Sequence, residues 1–137
     1  MNINKFTQKS LQAVNDLEKI AYEFGNQEVE QEHLLYALMN QEDSLIKKLI
    51  EKMEIQPQYF ANSIESAIEK RTKVSGGKPY IGNDLNTVLI TAEDEAKNMG
   101  DEYVSVEHLF LAMIHHPSRT VKELFREYGI TSERFLQ

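Results

Sequence analysis

Apolar residues recur every three or four positions along most of the chain, which predicts a run of amphipathic helices. Leu11, Val14, Leu17, Ala21 and Phe24 form the first stripe, with Thr7 placed to cap its start and Gly25 to stop it. A short extended link, 26–29, leads to a second helix whose buried face is Leu34, Leu35, Leu38 and Met39. A third helix begins near Ser44 with Leu45, Ile46, Leu49, Ile50 and Met53 inside. Pro57 suits the first position of a fourth, carrying Phe60, Ile64, Ala67 and Ile68.

The same order then starts again. Leu85, Val88, Leu89, Ala92, Ala96 and Met99 repeat the first stripe, with Asn83 or Asp84 as cap and Gly100 as stop. After the link 101–104, Ser105 is a good cap for a helix with Leu109, Phe110, Met113 and Ile114 inside; Glu30 is a poorer cap in the earlier copy. Ser118 opens a helix holding Val121, Leu124, Phe125 and Tyr128, and Thr131 opens a last one. That helix should still be running at Gln137, an ending expected of a piece of a longer protein. The match is one of residues as well as pattern. Glu32-His33-Leu34 returns as Glu107-His108-Leu109, 75 positions on, and Gly25, Val29, Ala37 and Phe60 also recur at that offset.

A repeat at fixed offset settles the architecture before other questions are asked. The expectation is an all-α fold of eight helices, arranged as two pseudo-twofold-related four-helix repeats within one domain, 1–137. Repeat 1 covers about 6–62 and repeat 2 about 81–137. Between them, 71–80 contains Gly76-Gly77 and Lys78-Pro79, the signature of a flexible connector. Neither half has enough apolar surface to bury its stripes well alone, so the two should share a core.

Composition narrows the function. Zero cysteines remove disulfides, thiol nucleophiles and thiolate metal sites. A net charge of −7 and a pI near 5.1 disfavour nucleic acid and anionic membrane as partners. No apolar run approaches the ~20 residues that span a bilayer, and the start lacks a secretory h-region. A cytoplasmic location is the simple expectation.

Catalytic chemistry is sparse. There is no phosphate-binding G-x-x-x-x-G-K-[ST] loop, no H-E-x-x-H pair and no G-x-S-x-G elbow. His115 and His116 are adjacent, a spacing unsuited to one metal. His33 and His108 read first as structural imidazoles bonded to backbone. Glu32 and Glu107 fall in first turns, where a carboxylate complements the helix dipole. Alternatively, the two could face one shared groove and hold a cation or guanidinium.

The doubled Phe-Thr…Gly-x-x-x-Val-x-x-Glu-His-Leu pattern resembles the Clp N domain, the amino-terminal module of AAA+ Clp unfoldases, over essentially all of 1–137. Within that family, 100–109 and the Lys-Val-Ser-Gly of 73–76 are most similar to the ClpB disaggregase branch. The resemblance implies a non-catalytic domain that recruits unfolded or aggregated polypeptides, and in some members adaptor proteins. It also implies a hexameric parent working with a DnaK-type chaperone system. ATP and magnesium would belong to the parent's ATPase modules, no cofactor to this domain, and the isolated domain would be monomeric. The polar positions tied to recruitment match Thr7, Asp101 and Glu107, with Leu89 and Phe110 as apolar walls of a groove between the repeats. Glu95 and His108 would make that groove more polar than in some relatives. In a protease-associated, ClpC-like branch the same surface recognises phosphoarginine. There Glu32 and Glu107 would grip guanidinium and two capping threonines would hold phosphate. Thr7 matches one of these; Gly82 stands at the other and lacks the hydroxyl.

Overall fold

The computed structural model describes residues 2–137. It contains nine α-helices: α1 Gln8–Asn15, α2 Leu17–Glu23, α3 Gln31–Met39, α4 Leu45–Lys52, α5 Pro57–Glu69, α6 Asn83–Asn98, α7 Val106–His115, α8 Arg119–Tyr128 and α9 Ser132–Leu136. A 3-10 turn, Ile3–Lys5, precedes them. α1 and α2 are the expected first helix, broken only at Asp16, so the all-α architecture of eight helical units stands. Local chemistry explains most boundaries. Thr7, Ser44, Ser118 and Thr131 each accept a first-turn amide with the side-chain hydroxyl, and Pro57 occupies the first turn of α5. Gly25 and Gly100 both adopt φ near +70° (76° and 72°) at the ends of α2 and α6, a region costly for other residues.

The repeated helices α3 and α7 form the centre. They touch each other, and both also pack against α1, α4, α6 and α8. Leu34, Leu35, Leu38, Leu109, Phe110 and Met113 are completely buried there. Phe110 stacks on Phe135 at 4.7 Å and lies 5.2 Å from Phe125, whose ring is 6.4 Å from Phe60 of α5. Aromatic packing therefore crosses from one repeat to the other, a shared core.

Two expectations about buried stripes fail. Leu45 is 40% exposed and Met99 46% exposed, because both lie at helix ends where the neighbouring helices no longer cover them. The connector is also less free than its composition suggests. Val74 N–H donates to the Gly25 carbonyl at 2.8 Å, Asn26 donates to the Thr72 carbonyl, and Lys73 Nζ donates to the Phe24 carbonyl.

The extended links do more than connect. β1 (Glu28–Val29) pairs in parallel with β2 (Tyr80–Ile81), and Phe6 forms a parallel bridge with Val104. These two pairings are the same contact at the 75-residue offset. In each, the segment entering a first helix of one repeat lies beside the segment entering the Glu-His-Leu helix of the other. Thr7 N–H donates to the Val104 carbonyl at 2.9 Å, and Gly82 N–H to the Val29 carbonyl at 2.8 Å.

Candidate functional site

The crossed pairing produces two related clefts, each with one wall from either repeat. The first brings Thr7 beside Ser105, Val106 and Glu107, with Asp43 of the α3–α4 loop and Leu45 at the start of α4 completing a groove of about 340 Å³. Its surface is mainly apolar, and half-exposed Leu45 is the accessible hydrophobic group. Thr7 Oγ1 accepts the Ser10 amide at 3.3 Å and donates to Ser10 Oγ at 3.0 Å, which in turn donates to the Val104 carbonyl at 2.7 Å. This chain fixes the Thr7 hydroxyl at the rim. Glu107 is partly exposed and makes no ion pair among the described residues.

Asp101 is exposed and stands outside that groove, but it is connected to it. Its carboxylate accepts from His108 Nε2 at 2.8 Å, while His108 Nδ1 accepts the Ser105 amide at 2.9 Å. An Nδ1 that accepts must be unprotonated, so the proton lies on Nε2, facing Asp101. Asp101 thus acts through His108 on the groove's Ser105 wall. His33 makes the same pair of bonds in repeat 1, accepting from Glu30 N–H and donating to Asn26 Oδ1, both at 2.9 Å. Burial and then the nearby Arg71 charge bring His33 down to about 4. Both histidines are structural, bonded to backbone.

The second cleft has the same plan but different contents. Gly82, at the N-cap of α6, offers no side chain, contrary to the expected Asn83 or Asp84 cap. Glu30 supplies the acceptor instead: its Oε1 takes the Leu85 amide at 3.2 Å and its Oε2 the Gln31 amide at 3.2 Å. The poorer capping residue of α3 therefore caps two helices. A Cβ added at Gly82 would meet Glu30 Oε1 at 2.1 Å, so the carboxylate fills the space a side chain at 82 would need. Burial raises the Glu30 carboxyl above its usual range; the Leu85 and Gln31 amides pull it back, and Asp84 and Glu32 push it further up.

Glu32 is 1% exposed and grips a guanidinium belonging to the chain itself. Arg71 spans Glu32 at 3.0 Å and Glu28 at 2.7 Å. The other Glu32 oxygen, Oε1, is buried without a hydrogen-bond partner among the described residues. Glu32 and Glu107 do not face one shared groove; they lie in different clefts. Beside the second cleft, Gln31 ties three elements together. Its Nε2 donates to the Asp84 and His116 carbonyls, and its Oε1 accepts the Ser118 amide.

Leu89 and Phe110 are not groove walls. They are 4% and 0% exposed, covered by the helices that share the core. Glu95 and His108 do not line a groove either: Glu95 is buried and accepts from His115 Nδ1 at 2.8 Å. The accessible apolar group is Leu45, which periodicity had placed in the core; Val106 beside it is buried. No group of three or more His, Asp or Glu among the described residues has metal-holding geometry. No helix among them is long and apolar enough to cross a membrane.

The family model of the Clp repeat (R) N-terminal domain matches residues 5–128. A ClpB chaperone of Nitratidesulfovibrio vulgaris is 41% identical over 142 aligned residues, covering 99% of this chain and 16% of that protein. The chain therefore spans about one sixth of that relative's length. Among solved structures, the Hsp104 N-terminal domain from Candida albicans has a TM-score of 0.80 at 19% identity, covering 96% of this chain and 86% of that one. A complex of the ClpV N-domain with a VipB peptide gives 0.72 at 20% identity, covering 90% and 79%. The chain belongs to the Clp repeat N-terminal domain family.

Proposed function

We propose that this domain recruits extended segments of unfolded or aggregated polypeptides for a ClpB-like AAA+ disaggregase, and that it docks them in the cleft between Thr7 and Glu107. The observation that carries the reading is that cleft's make-up: exposed Leu45 beside Val106, with a fixed hydroxyl and a free carboxylate at its edges. Apolar side chains of an unfolded segment would cover Leu45. Thr7 and Glu107 would take backbone amides and basic side chains, and Asp101 would hold the Ser105 wall in place through His108. A related fold carries a peptide in the ClpV N-domain complex, which supports peptide docking as a use of this architecture. Single contacts in so small a groove are weak, and a hexameric parent would add avidity through its copies. ATP hydrolysis, cooperation with a DnaK-type system and a cytoplasmic setting belong to the same proposal. Phosphoarginine recognition at Glu32 is disfavoured because Arg71 already occupies that carboxylate.

The test is an NMR titration of the domain with a permanently unfolded polypeptide. Shifts are expected at Thr7, Leu45, Ser105, Val106 and Glu107, and Leu45→Ser should weaken binding severalfold. A separate, mainly polar cleft of about 450 Å³ lies between α5 and α8, lined by Ser66 and Glu123 among others, and shifts confined to it would sink the reading.

A further inference from the structure

The two clefts are built alike and are of similar size, about 340 and 360 Å³, yet only the first leaves its glutamate and capping hydroxyl free of partners from the opposite wall. At the second, the position matching Thr7 is Gly82, and the position matching Ser105 is Glu30, whose carboxylate covers the α6 start. The matching glutamate, Glu32, is held by Arg71 from the far end of α5, 39 residues away in sequence. Arg71 and Glu30 thus put a cation and an anion of the chain itself where the first cleft presents Glu107 and the Thr7 hydroxyl to solvent. Neither contact is a loose surface pair. The Arg71 and Glu32 side chains are 21% and 2% exposed, and Glu30 is buried against backbone amides.

The unsatisfied Glu32 Oε1 gives a second sign of what the cleft is built to hold. A buried carboxylate oxygen with no donor is rare in a finished core. One guanidinium edge satisfies Oε2 while Arg71 turns its other edge to Glu28. Glu32 therefore retains capacity for a further donor, consistent with a binding position filled by a substitute.

We propose that Arg71 and Glu30 are internal occupants that engage the recognition groups of the second docking cleft, so that the domain takes one polypeptide segment rather than two. The one-segment part rests on the reading of the Thr7–Glu107 cleft as the docking site; the internal occupancy itself does not. Arg71 lies at the head of the inter-repeat connector, whose residues 72–74 are held by separate hydrogen bonds.

Two measurements test this on the whole chain. In the first, methylguanidinium is titrated into wild-type and Arg71→Ala domains, with Arg71→Lys as a variant that keeps the charge but loses the fork. Saturable NMR shifts at Glu28 and Glu32 are expected in Arg71→Ala and absent in wild type; equal binding by both, or by neither, overturns the internal occupancy. In the second, an unfolded peptide is titrated into wild type and into Arg71→Ala/Glu30→Ser/Gly82→Thr. One site is expected in wild type, and a second set of shifts at Glu32 and Asn83 in the triple variant. Two sites in wild type, or one in the folded triple variant, overturns the proposal. A wild-type domain that shifts at neither cleft overturns the docking reading, and the methylguanidinium titration still decides whether Arg71 holds its slot.

Discussion

Glu30 Oε1 accepts the Leu85 amide at 3.2 Å, and Thr7 Oγ1 accepts the Ser10 amide at 3.3 Å. Ser10 and Leu85 are the same position in the two repeats. One amide is capped by its own helix and the other by a residue from the opposite repeat. The capping requirement is identical, since first-turn amides lack intrahelical partners. The absence of a side chain at Gly82 is offset from across the interface. Restoring a side chain there should therefore be coupled to Glu30. Gly82→Thr alone drives its Cβ into the carboxylate, and Glu30→Ser alone leaves the Leu85 amide uncapped. Together they rebuild the Thr7–Ser105 arrangement. A double-mutant cycle by urea unfolding should show the pair more stable than the sum of singles by about 1 kcal/mol.

Stability should also depend on His33 below neutral pH. Its imidazole falls from 6.5 to about 4 on folding, chiefly through burial. The unfolded chain then binds the extra proton, so the contribution is complete above about 6.5 and is lost as pH falls toward 4. The gap is worth up to about 3 kcal/mol. Glu30 acts in the opposite sense, because a raised carboxyl favours the folded state as it protonates. The His33 part is isolated by subtracting the pH profile of His33→Gln from that of wild type in urea melts. A flat difference between pH 7 and 4.5 would count against the assignment.

Gln31→Ala should be among the more damaging polar substitutions. It strips partners from the Ser118 amide and from the Asp84 and His116 carbonyls, all at a fully buried side chain. Orphaned buried groups cost about 1–3 kcal/mol each, part of which water entry can recover. A net loss of about 2–4 kcal/mol is expected in chemical denaturation. Gln31→Val, which copies the residue at Val106, should cost nearly as much, since it too removes the partner of the Ser118 amide and of the two carbonyls.

Phe110 and Leu45 should separate stability from binding. Phe110→Ala removes a ring stacked between Phe125 and Phe135, at about 3–5 kcal/mol. Leu45→Ser removes a half-exposed side chain and should change stability by less than about 1 kcal/mol while weakening peptide docking. Thermal melts and peptide titrations on the same two variants check both halves.

Features set by neighbours in sequence were legible before any coordinates. Hydroxyl caps at Thr7, Ser44, Ser118 and Thr131, the glycine stops and the duplicated stripes all depend on a few adjacent residues. Burial of a particular stripe member was harder to read. A 3.6-residue period says which side of a helix is apolar, but not whether another helix covers that turn. Leu45 was therefore placed in a core it leaves, while Leu89 and Phe110, which the period put inside, were wrongly expected at a groove only through the family resemblance. The charge partners were out of reach for a different reason. Nothing local distinguishes Arg71 from other basic residues of the connector; only the path of α5 brings it to Glu28 and Glu32. The Glu30 cap likewise follows from the pairing of β1 with β2, which no short window contains.

The crossed pairing of entry segments has an implication for how such a domain could arise. A single repeat, dimerised about the same axis, would necessarily carry two identical clefts, because each is assembled from one copy of either half. Any mutation would change both at once. Joining the halves into one chain removes that constraint, and Gly82 could lose its side chain without Thr7 following. The covalent link is what permits the two clefts to differ in their residues.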